Sequence, residues 1–382
     1  MSQTATHLVD HVVPHVPVRQ WVLSLPIPLR LLLDAQPELV TPVLQVVQRV
    51  LTRHLLDGAR LKGEEGHGGA VTLIQRFGSA ANLNIHLHCL VLDGVYRCDA
   101  QGMPTSVEAS APADHELHAL LQTVITRLKK MLTCRGVLIE EMGQTHLAEP
   151  LADRDEARTL RPLQAAAITY RIAFGPRAGM KVLTLRGAMP REGTARQPLC
   201  ADIDGFSLHA AVRVESHDRK RLEQLCSYIT RPALSDERVQ LNAAGQVELK
   251  IKTPWRDGTT HLVMSALEFM HRLPALVPRP RLLLTRFRGV LARSAKLWTV
   301  VPQGPAQPEQ VTAAAGAAEC KVELVQARPH QISWARLLKR VFDHRSNCSS
   351  HRRVDQYCSH HPPVSPTVRG SDRRRCAARP VG

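Results

Sequence analysis

Apolar positions along the chain change spacing several times, and each change predicts an element. From Val18 the segment VRQWVLSLPIP is short and apolar, which predicts a strand stopped by Pro26 and Pro28. Between Pro37 and Leu61, Val43, Val46, Val47, Val50, Leu51 and Leu55 fall at helical spacing and predict an amphipathic helix. GEEGHGG, from Gly63 to Gly69, is a loop. AVTLIQRF and NIHLHCLVLDG are β-like runs separated by the turn-rich GSAANL, an arrangement that predicts an antiparallel pair. Leu117, Leu120, Leu121, Val124, Ile125 and Leu128 form one stripe of a helix over Asp114 to Thr133. A polar, strand-poor stretch then runs to about Arg196.

Alternation returns in FSLHAAVRV, Phe206 to Val214, which predicts a strand. It leads into SHDRKRLEQLCSYITRPALSDERV, a helix capped by Asp218 and stopped at Pro232. GQVELKIKTPWRDGTTHLVMSALEFM predicts a two-stranded hairpin followed by a helix. PQGPAQPEQVTAAAGAAE is a Pro/Ala/Gln linker and ISWARLLKRVF a short amphipathic piece. The last stretch, HRSNCSSHRRVDQYCSHHPPVSPTVRGSDRRRCAARPVG, has almost no large aliphatics and cannot bury enough apolar surface to fold alone, which predicts disorder. The chain as a whole is expected to be α+β with an antiparallel sheet.

Charge narrows the partner class. The 382 residues carry a formal net charge of +16 and a sequence pI near 9.9, a field that attracts polyanions. Nucleic acid is the commonest such partner, and an acidic membrane surface would feel the same field. Aromatics are only 4% of the chain, which argues against a platform that stacks many bases. The nine cysteines include no CxxC pair and are expected to be reduced thiols. The N-terminus lacks the pattern of a secretory signal. PIPLRLLL and VLQVVQRVLTRHLL carry arginines and are too short to cross a bilayer. The expectation is a soluble, cytoplasmic protein.

Two histidines interrupt the run that begins at Asn82. In a strand, residues two apart share a face, so His86, His88, Leu90 and Leu92 lie on one side and Ile85, Leu87, Cys89 and Val91 on the other. The second side is apolar and suited to packing on helices. The first presents two imidazoles that can grip one divalent cation and leave positions open for an oxygen ligand and a phosphate. The plainer reading, a hydrogen-bonded pair, stays open on this motif alone.

A metal-activated phosphodiester needs a nucleophile, and the chain has four tyrosines. Tyr357 falls in the tail, Tyr96 closes the histidine strand, and Tyr170 sits in AAAITYRIAFG, a β-like run. Tyr228 falls about 110° from the apolar stripe Leu222, Leu225, Cys226 and Ile229, on a helix flank shared with Arg221 and Gln224. It is either a packing residue or a nucleophile supported on phosphate by Arg219, Lys220, Arg221 and Arg231.

IQRFGSAANLNIHLHCLVLDGVY, LCSYITRPALSDERV, KTPWRDGTTHLVMSALEFMHRLPALVPRPRL, RFRGVLARSAKL and ISWARLLKRVFD, in that order, resemble the rolling-circle transposases of the insertion-sequence-ninety-one type, above all those of the common-region elements. The resemblance covers roughly residues 5–343. It implies an HUH endonuclease fold, a central antiparallel sheet flanked by helices. It implies Mg²⁺ or Mn²⁺ held by His86 and His88, with Gln75 as a candidate third ligand. Tyr228 would attack single-stranded DNA at the transposon ends, leaving a 5′-phosphotyrosine and a free 3′-OH. The implied organisation is an N-terminal segment (1–62), a nuclease core (63–275), its C-terminal extension (276–303), a linker (304–328), a short helix (329–343) and a disordered basic tail (344–382).

Four departures stand beside the resemblance. Gln224 occupies the place of the second tyrosine of two-tyrosine members, and Arg288 stands where relatives tend to carry histidine. The cysteine-rich zinc segment expected before THLVDHVVPHVPVRQW is not in the sequence, and the residues after KRVFD do not resemble the family's ending. The alternative expectation is a truncated, catalytically inactive remnant that binds DNA.

Overall fold

A computed structural model describes residues 2–301 of the chain, apart from 142–143, 148–154, 188–197, 253, 256, 279–281, 296 and 298–300. The linker, the short helix and the tail expected from 304 onward lie outside the described residues. Helix α1 (Ser2–His11) buries Ala5, Leu8 and Val9. Strand β1 (Val18–Ser24) ends before Pro26. Proline ends the strand as expected, but it also begins a helix. Pro26 is the N-cap of α2 (Ile27–Ala35) and Pro28 lies in its first turn, where the fixed φ and missing N–H cost nothing. A single 3₁₀ turn (Pro37–Leu39) precedes α3 (Val40–Gly58).

Strands β2 (Gly69–Phe77) and β3 (Leu83–Leu92) form the expected antiparallel pair. A hairpin of β4 (Gly94–Cys98) and β5 (Pro104–Glu108) leads to α4 (Asp114–Cys134). The stretch expected to be strand-poor holds three short strands, the pair β6 (Leu138–Glu141) and β7 (Gln144–Leu147) and strand β8 (Leu183–Arg186), together with helix α5 (Asp155–Ile168). Pro162 lies inside α5, and an internal proline argues against a helix on local grounds. Burial of Leu163, Gln164, Ala167 and Ile168 overrides it. Tyr170 therefore follows a helix rather than sitting in a strand. It adopts a φ of 57° and packs on Trp255 with ring centroids 4.8 Å apart.

Strands β9 (Cys200–Ile203) and β10 (Phe206–Val214) precede α6 (Arg219–Ile229). Asp218 caps α6 as expected, accepting from the Arg221 N–H at 3.0 Å, a contact of about 1 kcal/mol. Strands β11 (Val239–Leu241), β12 (Val247–Lys250) and β13 (Thr259–Met264), helix α7 (Ala266–Leu276) and strand β14 (Thr285–Gly289) complete the described elements.

These strands form a six-stranded sheet in the order β14-β2-β3-β1-β10-β9, a four-stranded sheet in the order β11-β12-β13-β8, and two hairpins. Every strand pair in the large sheet is antiparallel, and the fold is α+β as anticipated. The alternation of β3 sorts its side chains onto two cores. Ile85, Leu87, Cys89 and Val91 pack with Val43, Val47, Leu121 and Val124 of α3 and α4. Leu90 and Leu92 pack with Leu8 and Val9 of α1 and with Leu222, Leu225 and Cys226 of α6. Burial drives the thiols of Cys89 and Cys226 up to about 11 and about 12, so both behave as small core hydrophobes.

Two devices hold the sheet in place. Asp93, buried just after β3, accepts from Arg19 Nε at 2.9 Å and from Arg213 Nε at 2.6 Å, tying β1 and β10 to its turn. At the far edge, Gly289 adopts a φ of +59°, and a Cβ there would stand 1.8 Å from the Gly68 carbonyl oxygen. Only glycine lets β14 close onto the start of β2. Among the described residues, no helix is long and apolar enough to cross a membrane.

Candidate active site

His86 and His88 sit in the middle of the large sheet, flanked by β2 and β1. The register places Gln75 and Ser24 opposite His86, and Leu73 and Val22 opposite His88. Opposed residues of an antiparallel pair share a face, so Gln75 lies on the histidine side. The two imidazoles are 4.8 Å apart between ring centroids. They are 3% and 0% exposed, so the face that carries them is covered by α1 and α6 rather than open as a groove.

Burial sets their protonation. His86 is pushed down to about 4, chiefly by burial, with the Asn84 carbonyl acting in the opposite direction. His88 is held well below the usual imidazole range by burial, then by His86 and Arg231. Both rings are therefore neutral at pH 7, the form that coordinates a metal. The Asn84 carbonyl lies 2.8 Å from His86 Nδ1. A carbonyl only accepts, so Nδ1 carries the proton and Nε2 keeps its lone pair. His88 Nδ1 lies 2.8 Å from Gln20 Nε2. With that amide nitrogen donating, the His88 proton is on Nε2. A half-turn of the Gln20 amide presents its oxygen instead and moves the proton to Nδ1.

Among the described residues, the Nε2 atoms of both histidines are buried with no hydrogen-bond partner. A buried polar atom without a partner costs about 1–3 kcal/mol, and a bound cation would remove that cost at two atoms together. The residues present thus fit a divalent metal. Among the described residues no group of three or more His, Cys, Asp or Glu is placed to hold one, which leaves an amide or carbonyl oxygen as the further protein donor. Gln75 is 5% exposed and donates from Nε2 to the Ile229 carbonyl at 3.4 Å, which leaves its Oε1 as the donor atom on the histidine face.

Helix α6 brings Tyr228 to this face. Its apolar stripe, Leu222, Leu225, Cys226 and Ile229, is buried against the sheet, and the flank that carries Tyr228 turns toward the histidines. The Tyr228 and His88 rings are 6.5 Å apart, edge to face at 82°. Arg231 Cζ stands 3.9 Å from the Tyr228 ring centroid, and Lys252 Nζ 5.0 Å from it. Burial pushes Tyr96 and Tyr170 up to about 12, and Tyr357 lies outside the described residues. Tyr228 is the tyrosine that the fold sets beside the paired imidazoles.

The four basic residues singled out around α6 separate. Arg231 joins the site. Arg219 turns away, donating to the carbonyls of Val9, Val13 and Pro14 at the end of α1, where a cation also meets the negative end of the helix dipole. Lys220 and Arg221 are both exposed at the start of α6. Sequence reasoning missed Gln20 and Lys252. Gln20 was visible as a neutral polar residue inside the apolar VRQWVLS. Lys252 gave no signal, because only the fold of KTPWRDG brings it to α6.

The model of the Y2_Tnp family, described as "Putative transposase", matches residues 69–297, more than half of the chain. The chain belongs to this family of transposases. Neither a curated protein nor a solved structure matches it. The matched span of the transposase includes Gln75, His86, His88, Tyr228, Arg231 and Lys252, and membership makes DNA its partner.

Proposed function

We propose that this transposase nicks and rejoins single-stranded DNA through Tyr228, in a rolling-circle reaction on an HUH-type sheet. The observation that carries the reading is Tyr228 edge-on to His88 at 6.5 Å, over two neutral imidazoles whose Nε2 atoms lack partners. A Mg²⁺ or Mn²⁺ ion held by His86, His88 and Gln75 would supply Lewis-acid polarisation of the scissile phosphodiester.

The chain's own residues do the rest. Tyr228 Oη attacks phosphorus, the Oη–P bond forms as the P–O3′ bond breaks, and the free 3′ hydroxyl leaves with a proton. The phenol proton passes to solvent, so no proton is consumed overall. The phosphotyrosine keeps the energy of the broken bond, and a later 3′ hydroxyl can reverse the step without ATP. Arg231 and Lys252 flank the ring and meet the negative charge that builds on the phosphoryl oxygens. Gln224 stands one helical turn before Tyr228, which favours one nucleophile used in turn over a two-tyrosine exchange.

The test is a single strand from the element terminus, labelled at its 3′ end or internally on the 3′ side of the nick, incubated with the protein and Mg²⁺ or Mn²⁺. The expected result is a covalent adduct in which the digested peptide carries the phosphate on Tyr228. Salt-sensitive binding without any adduct would instead favour the DNA-binding remnant.

A second expectation concerns Gln20. Gln20→Glu fixes an acceptor at His88 Nδ1 and holds the lone pair on Nε2, so Mn²⁺ binding measured by calorimetry should match or exceed the parent. Gln20→Leu removes the partner and should weaken Mn²⁺ binding by about 10-fold or more. Equal affinity in all three proteins would show that Gln20 does not orient the ligand.

A further inference from the structure

A second group of cations lies on the opposite face of the same sheet. Edge strand β14 pairs with β2 so that Arg286 faces Thr72 and Arg288 faces Ala70. Thr72 accepts from Gln48 of α3 at 2.8 Å, and Ala70 belongs to the core beneath α3. Arg286 and Arg288 therefore stand on the α3 side, whereas His86, His88 and Gln75 stand on the α6 side.

Two adjoining cavities, of about 320 and 380 Å³, open between α3 and β14 and share Arg288 and Gly289. The first includes Arg286 and Phe287, the second Arg49 and Arg53. No carboxylate lines either one. Arg53 is paired with Asp57 at 3.1 Å along the helix, which leaves Arg49, Arg286 and Arg288 to set the local charge. The three lie near enough that burial, then Arg286 and Arg49, push the ionisation of Arg288 below the usual guanidinium range. Arg286 Nε is buried with no hydrogen-bond partner among the described residues. Repelling cations gathered round a cavity, one with an unmet buried donor, fit an anion that bridges them.

We propose that Arg49, Arg286 and Arg288 form a second phosphate site that holds the sugar-phosphate backbone of the DNA on the face away from the tyrosine. The choice of a polymer backbone follows from the chemistry of the lining. Guanidinium groups and the backbone of Gly68, Gly69 and Gly289 can approach phosphate closely. The formal charge of +16 draws a polyanion to such a groove. This rests on DNA being the partner, which family membership supplies, and not on the nicking chemistry.

Fluorescence anisotropy with a labelled single strand of about 30 nucleotides tests it, in EDTA, over a salt series, in a Tyr228→Phe background. With metal and nucleophile both removed, failure of nicking cannot alter the result, and the result cannot alter the nicking reading. Replacing all three arginines by glutamine should weaken binding by roughly tenfold or more and lower the salt slope by about 2. Arg49 is exposed on α3, so Arg49→Gln alone cannot unfold the chain, and it should lower the slope by about 0.7. Arg288→Lys keeps the charge and should keep most of the slope. Unchanged affinity and slope in a triple variant that melts like its parent would overturn the proposal. So would an Arg49→Gln protein with the parental slope, or inorganic phosphate binding lost in the triple variant while its DNA slope stays parental.

Discussion

Replacing Tyr228 by phenylalanine should abolish the covalent adduct, on the order of 10⁴-fold or more in rate, as for loss of other enzymic nucleophiles. The substitution removes one oxygen and little else. The ring that meets His88 edge-on and lies beneath Arg231 at 3.9 Å remains, and the apolar stripe of α6 is untouched. Melting temperature and metal-free DNA affinity should therefore stay close to the parent. Arg231→Ala and Lys252→Ala keep the nucleophile but remove charge beside the phosphate, and each should slow adduct formation by about 10²-fold. A Tyr228→Phe protein that still forms adduct would move the nucleophile to another residue. A parent that binds DNA but forms no adduct with either metal would leave the remnant reading in its place.

How much of this was legible in the sequence follows from where each signal lies. The two faces of β3 follow from alternation alone, since Ile85, Leu87, Cys89 and Val91 are spaced to meet one core and Leu90 and Leu92 the other. The flank of α6 followed in the same way, because Asp218 fixes where the helix begins and the apolar stripe fixes its rotation. What could not be read was the covering of the site. His86 and His88 were expected to leave positions open for an oxygen ligand and a phosphate, and they are buried because α1 packs across α6, a contact that no local pattern announces. Arg219 shows the same limit. It was grouped with the DNA-facing cations by its neighbours, yet it is engaged by the α1 carbonyls. Helices α2 and α5 were missed for opposite reasons. Pro26 and Pro28 look like a stop but serve as a start, and Pro162 looks like a break but is outweighed by burial.

Acid should destabilise the metal-free protein through the histidine pair, over a window fixed by burial. An unfolded imidazole takes up its proton near pH 6.5, whereas folded His86 does so only near 4. Between those values the unfolded chain binds a proton that the folded chain refuses. Its contribution is therefore fully present above about pH 6.5 and is lost as pH falls toward about 4. For His86 the loss is roughly 3 kcal/mol, and His88 is shifted in the same direction by the same burial. Urea midpoints in EDTA at pH 7 and pH 4.5 should fall much further for the parent than for the His86→Gln/His88→Gln variant. An equal fall in both proteins would mean that the imidazoles are not the neutral, desolvated pair described here. Added Mn²⁺ should raise the parent's midpoint at pH 7 and lose that effect only as pH falls below about 4, where folded His86 takes up the proton that competes with the metal for its Nε2 lone pair.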